Sequence, residues 1–208
     1  MIRTIFVLIA SFFLTHAFAQ RNMRQILIDM PDSLVEYLNA TKRTEMVDFY
    51  DMGVKAETNN LLMSSTVLDS IADDYAYVSL NESAKMQLAL LKMSTGDSII
   101  CMVRTFIGEA PESVVSFYDG RWQPRDAAKL MTKVEPSQLM SRPDTMDVEK
   151  YERLVSFIDP VMMVADYDPE QQALVFNLST PLLTNEEKMQ VKAILLQRKL
   201  KWNGKMFN

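Results

Sequence analysis

One histidine, one cysteine and five glycines are all that 208 residues contain of those types, and each scarcity removes a class of chemistry. A lone imidazole at His16 leaves no Ser-His-Asp triad, no Cys-His pair and no imidazole-bound zinc in the body of the chain. A lone thiol at Cys101 rules out four-cysteine metal sites and any internal disulfide. No Gly-x-Gly-x-x-Gly, phosphate loop or Gly-x-Ser-x-Gly occurs, so backbone cradles for phosphate and nucleophile elbows are missing. Past the N-terminus no stretch approaches the length of apolar chain that crosses a bilayer as a helix. Positive charge is also short: 22 Lys and Arg against 27 Asp and Glu, net −5. That balance argues against nucleic acid and against anionic membrane surfaces as partners.

What is present begins with a leader. Arg3 is followed by the almost wholly apolar run from Ile5 to Leu14, and Ala17-Phe18-Ala19 places small residues at −3 and −1 of a cut before Gln20. This is the pattern of a secretory signal peptide. The expected product starts at Gln20, carries no histidine, and is periplasmic or extracellular. Because position 20 is Gln and the sole cysteine lies deep in the chain, a lipid anchor is not expected. A chain of this size buries about 70% of its unfolded surface, so it needs neither metal nor disulfide to hold a core.

Along the chain, 1–19 reads as signal peptide and 20–60 as a helical N-terminal segment. Residues 61–132 form a first β unit, 133–160 a linker and helix, and 161–208 a second β unit, with 20–208 one compact domain. Leu34, Val35 and Leu38, then Met46, Phe49 and Tyr50, recur at helical spacing. Pro31 suits a helix start, Thr41 a cap for a second helix, and Gly53 a stop. From Leu61 the pattern turns to strands. Lys85 to Met93 alternates Met86, Leu88 and Leu90 against Lys85, Gln87 and Ala89. Ser98 to Ile107 is apolar as a central strand would be. Asn81-Glu82-Ser83 and Thr95-Gly96-Asp97 are turns, and Asp119-Gly120 suggests a type I′ hairpin. Strands joined by turns this short are antiparallel. Asp147 to Phe157 reads as a helix ended by Pro160. Ala173 to Leu178 and Leu195 to Trp202 read as strands, and Thr184 with Glu187 is a capping box.

Phe117-Tyr118-Asp119-Gly120-Arg121-Trp122 is echoed by Lys201-Trp202-Asn203-Gly204-Lys205-Met206, which suggests two related β units. Further runs carry a family likeness: Asp29-Met30-Pro31-Asp32-Ser33-Leu34, Asp73-Asp74-Tyr75, Ile100-Cys101-Met102-Val103-Arg104-Thr105, Phe117-Tyr118-Asp119, Ile158-Asp159-Pro160 and Lys201-Trp202-Asn203-Gly204-Lys205. In order and spacing the chain resembles domain-of-unknown-function family 3256, secreted proteins of Bacteroidales. The resemblance implies an exported Gram-negative protein of one domain type and supplies no activity and no catalytic residue. Asp32-Ser33-Leu34, Asp69-Ser70-Ile71, Asp97-Ser98-Ile99 and Asp144-Thr145-Met146 also resemble an O-glycosylation acceptor of such proteins.

Cys101, between Ile100 and Met102, reads as a buried thiol rather than a nucleophile, which would need an electropositive, partly exposed setting. The acids with local company are Asp73-Asp74 and Asp166-x-Asp168-x-Glu170. They suit strand ends and turns; catalytic use would require a pair with separated pKa values about 5 to 9 Å apart. The last group departs from an EF-hand through Pro169 and the missing downstream Gly and Glu. Aromatics offer the better surface. Trp122, Trp202 and Tyr118, with Arg121 and Lys205 at the rim, would form a binding platform if exposed together.

The expected fold is therefore α+β: an antiparallel sheet from two weakly similar β units with short N-terminal helices packed against it. The expected function is a non-enzymatic binding or assembly module that contacts another envelope protein or a glycan through a sheet face or hairpin ends. A carboxylate-dependent glycan hydrolase is the alternative, and an inhibitor of a secreted enzyme a further one. No cofactor and no metal are expected, and the sequence leaves the oligomeric state open.

Overall fold

The computed structural model describes residues 22–180 and 182–208; the leader read over 1–19 lies outside the described residues. Ten strands, four α-helices and three short 3-10 turns alternate among them.

The N-terminal helices are set by their caps. α1 (Met23–Ile28) starts where the Asn22 side chain accepts the Gln25 N–H, and it buries Met23, Ile26 and Leu27 on one stripe. After Pro31 the chain makes a 3-10 turn at Asp32–Leu34. α2 (Ala40–Asp51) is capped by Asn39, whose Oδ1 accepts the Lys42 N–H at 3.1 Å. The cap is thus two residues earlier than Thr41, because Asn39 already holds the extended backbone a cap requires. Gly53 ends α2 as expected, at φ +70°. Its N–H reaches Tyr50 O and the Val54 N–H reaches Phe49 O, which closes the last turn. The Arg43 side chain, fully buried, donates to the carbonyls of Ile28, Met30 and Leu38 and to Asp32, so it satisfies acceptors that the end of α1 leaves open.

Seven strands form one antiparallel meander in chain order: β1 (Glu57–Asn59), β2 (Ser65–Ile71), β3 (Tyr75–Asn81), β4 (Ala84–Lys92), β5 (Ser98–Phe106), β6 (Glu112–Asp119) and β7 (Pro124–Arg125). β1 lies within the stretch that reads as helical in the sequence. β4 and β5 are in register from Ala84 opposite Phe106 to Lys92 opposite Ser98. Because side chains alternate, Met86, Leu88, Leu90, Ile100 and Met102 face α1 and α2, whereas Ala89, Leu91, Ile99, Cys101 and Val103 face the other way.

That second face is covered by a three-stranded antiparallel sheet, ordered β10 (Arg198–Lys201), β9 (Ala173–Ser179), β8 (Met162–Asp168). α3 (Val148–Ser156) and α4 (Asn185–Val191) close its side through Leu154 and Val191. The molecule is a helix layer, a large sheet and a small sheet, with one core on each side of the large sheet. An α+β fold with antiparallel sheets is what the sequence implies. The two sheets are unequal, seven strands against three. The strand expected over Leu195 to Trp202 shortens to Arg198–Lys201, because Leu195 and Leu196 bond to Met140 and Leu139 instead.

Gln87 ties the sheets together. Its amide oxygen accepts the Tyr167 N–H at 3.0 Å, and its amide nitrogen donates to Tyr167 O at 3.1 Å and to the Tyr75 hydroxyl at 2.9 Å. A side chain here replaces the neighbouring strand that the edge of β8 lacks.

Candidate functional site

The aromatic platform does not exist as one surface. Trp122 is 5% exposed, packs on buried Tyr118 at 5.3 Å between centroids, and donates its indole N–H to Ile26 O at 3.2 Å. It belongs to the helix-side core. Trp202 is half-buried on the opposite face of the large sheet, edge-on to Phe207 at 5.1 Å, with its N–H on Lys92 O. Arg121 and Lys205 are exposed, each in the turn beside its own tryptophan. The two turns that look alike in sequence differ in shape. In the first, Gly120 keeps a negative φ and Trp122 takes +61°, so the loop is Gly120–Trp122 rather than a two-residue type I′ turn. The Asp119 carboxylate holds that loop by accepting the N–H groups of Arg121 and Gln123. In the second, Gly204 takes the positive φ.

Of the candidate acids, Asp73, Asp74 and Glu170 are exposed, and Asp166 and Asp168 are tied into the structure. Asp166 accepts from Lys85 Nζ at 2.8 Å, and Asp168 accepts the Gln171 N–H in the turn after β8. Burial lowers the Lys85 pKa, but the hydrogen bond and charge of Asp166 outweigh it and leave it raised. Among the described residues no group of three or more His, Cys, Asp or Glu could hold a metal ion. Cys101 is buried, and burial pushes its thiol well above the usual range, so it is held neutral. Arg104 projects to the other face, as the strand period requires.

The feature that stands out is apolar and exposed. The loop from β1 to β2 presents Leu61, Leu62 and Met63 at 59%, 62% and 84% exposure. Three consecutive exposed apolar residues are a fault in a soluble fold unless they serve a contact. The loop is built to hold them. Asn60 is buried; its Nδ2 donates to Thr66 and to Leu80 O, and its Oδ1 accepts the N–H groups of Leu62 and Ser64. Met63 sits at φ +60°, a region that costs a side-chain-bearing residue about 1 kcal/mol. Leu61 N–H bonds Tyr37 O at 2.9 Å, which places the tip against segment 34–37.

From there an apolar row continues along one end of the large sheet. Arg104 donates to Leu34 O at 2.8 Å and lies 5.4 Å over the Phe106 ring. Its Nε is buried without an acceptor. Phe106 and Val114 are exposed beside it, with Val114 opposite Arg104 across β5 and β6, and Ile107 is exposed just past the end of β5. Tyr37 is half-buried there; burial raises its pKa and the Arg104 charge partly offsets this. The helices cover β2 to β4 and leave this corner of β5 and β6 open.

Sequence reading passed over these residues because Leu61-Leu62-Met63 looks like the opening of a strand. The signal was there: the triplet does not alternate, and it is bracketed by Asn59-Asn60 and Ser64-Ser65, the residues of a turn.

Comparison with known proteins gives a family and a fold. No curated protein matches the chain. A solved structure of a domain of an uncharacterized protein from Porphyromonas gingivalis W83 superposes with a TM-score of 0.74 at 16% identity, covering 89% of this chain and 98% of that one. At that identity the likeness speaks for the fold alone. Residues 15–207 match the family described as "Protein of unknown function (DUF3256)", and the chain belongs to that family.

Proposed function

We propose that this protein is an exported, non-enzymatic binding module that docks another envelope protein through the corner formed by Leu61–Met63, Phe106, Ile107 and Val114. The observation that carries the reading is the run of three exposed apolar side chains on a loop fixed from beneath by buried Asn60. A rigid apolar projection loses little conformational entropy on binding, so more of its buried area counts toward affinity. A protein fits this corner better than a glycan does, because the tryptophans that would offer a sugar ring a flat face are buried or half-buried. Export is the reading of residues 1–19.

The test is site-specific photo-crosslinking in intact cells. A crosslinking residue at position 62 or 106 is expected to give a discrete adduct with a second polypeptide. The same residue at Val148, also exposed but on α3 across the large sheet, is expected to give none. Equal patterns at all three positions, or no adduct at 62 and 106, would overturn the reading. The identity of the adduct then shows whether the bound protein is a secreted enzyme.

A further inference from the structure

The docking corner has a charge as well as an apolar surface. Glu36 follows the 3-10 turn, Glu82 is in the turn between β3 and β4, Glu109 in the loop between β5 and β6, and Glu112 opens β6 opposite Phe106. All four are exposed, and none forms an ion pair among the described residues. Lys85, on the same end of the sheet, is held by Asp166, and Arg104, which donates to Leu34 O and lies over the Phe106 ring, forms no ion pair with any of the four. The apolar row is therefore rimmed by carboxylates that have no ion pair among the described residues.

We propose that the partner of this corner is a cationic amphipathic polypeptide segment: an apolar stripe that seats on Leu61–Met63, Phe106 and Val114, flanked by Lys or Arg that meet the four glutamates. This rests on the docking reading above and adds the chemistry of the occupant. Electrostatic complementarity selects partners by sign and speeds their encounter. The same rim disfavours two other occupants. A second copy meeting this one corner to corner would bring the glutamates together, and an anionic lipid surface would repel them.

The measurement uses two synthetic helical peptides of equal length, with Leu at the same helical spacing and either Lys or Glu elsewhere, titrated against the full chain by fluorescence anisotropy. The Lys peptide is expected to bind, more weakly as salt is raised, and the Glu peptide not to bind. Glu82→Lys with Glu109→Lys is expected to weaken the Lys peptide about ten-fold. Glu149→Lys with Glu152→Lys makes the same change in net charge on α3 and is expected to leave affinity nearly unchanged. Equal loss in both double variants, equal affinity for both peptides, or no binding would overturn the proposal. So would dimerisation that Leu62→Ser abolishes, or binding to phosphatidylglycerol vesicles in place of the Lys peptide. If the crosslink at position 62 persists in the Glu82→Lys, Glu109→Lys variant with the same partner, the docking corner stands and the cationic partner falls. If no crosslink forms in the unmodified chain, the docking corner itself falls.

Discussion

At the scale of single residues, a few buried polar groups decide how the layers meet. Arg43 gathers the carbonyls at the end of α1, Asn60 holds the exposed tip, and Gln87 joins the sheets. Each is buried and multiply bonded, so each is worth most as the partner whose loss would strand others. Gln87 gives the cleanest case. Gln87→Leu keeps a similar bulk and removes no charge, yet it leaves the Tyr167 N–H, the Tyr167 carbonyl and the Tyr75 hydroxyl without their partners. The expected cost is about 3 kcal/mol, seen as a lower urea midpoint at an unchanged slope. A loss below about 0.5 kcal/mol would mean that the edge of β8 finds other partners and that the sheets are not joined through this side chain.

At the scale of elements, legibility followed local pattern. β4 and β5 could be read closely because alternation and bracketing turns are properties of the strand itself. α4 was announced by Thr184 and Glu187. The structure shows both halves of that box, with Thr184 Oγ1 accepting the Glu187 N–H and the Glu187 carboxylate accepting the Thr184 N–H. What could not be read was which apolar residues a distant element would cover. Trp122 is buried because the Ile26 carbonyl, far away in sequence, comes to its indole, and nothing in the hairpin encodes that. Leu61–Met63 stay uncovered for the converse reason: among the described residues no later segment folds over them. Thr184→Ala tests the element that was most legible. It removes the cap hydroxyl and is expected to lower stability by about 1 kcal/mol, measurable by chemical denaturation. The Glu187 carboxyl lies below its ordinary value because the Thr184 backbone N–H, and then its hydroxyl, bond the ionised form. Its contribution is present above the unfolded value of 4.5 and fades as pH falls, so the effect of Thr184→Ala should shrink in acid.

For the whole molecule, two cores share one sheet, and the described residues contain no histidine, since the only one in the chain is His16. The dependence of stability on pH then has two separate limbs. On the acid side, Glu45, Asp51, Glu57 and Glu187 all have lowered pKa values, chiefly through hydrogen bonds from Lys42, Arg24, Lys55 and the Thr184 backbone respectively. Their contributions are complete above the unfolded values and are lost as pH falls through the folded ones. On the alkaline side, burial raises Cys101, Tyr75 and Tyr167, and Asp166 raises Lys85 against its own desolvation. A raised pKa favours the protonated form in the fold, so these contributions are present below the unfolded values and fall away as pH climbs. Cys101 has the lowest ordinary value of the four, 9.0, and its thiol leads the decline. Between the limbs the urea midpoint is expected to be level from about pH 6 to about pH 8. Cys101→Ala opens a small cavity and lowers the whole curve, yet it should also move the start of the alkaline decline upward, toward the tyrosines and Lys85. A slope across neutrality would overturn this account, and an alkaline limb unmoved by Cys101→Ala would assign that decline to the phenols instead.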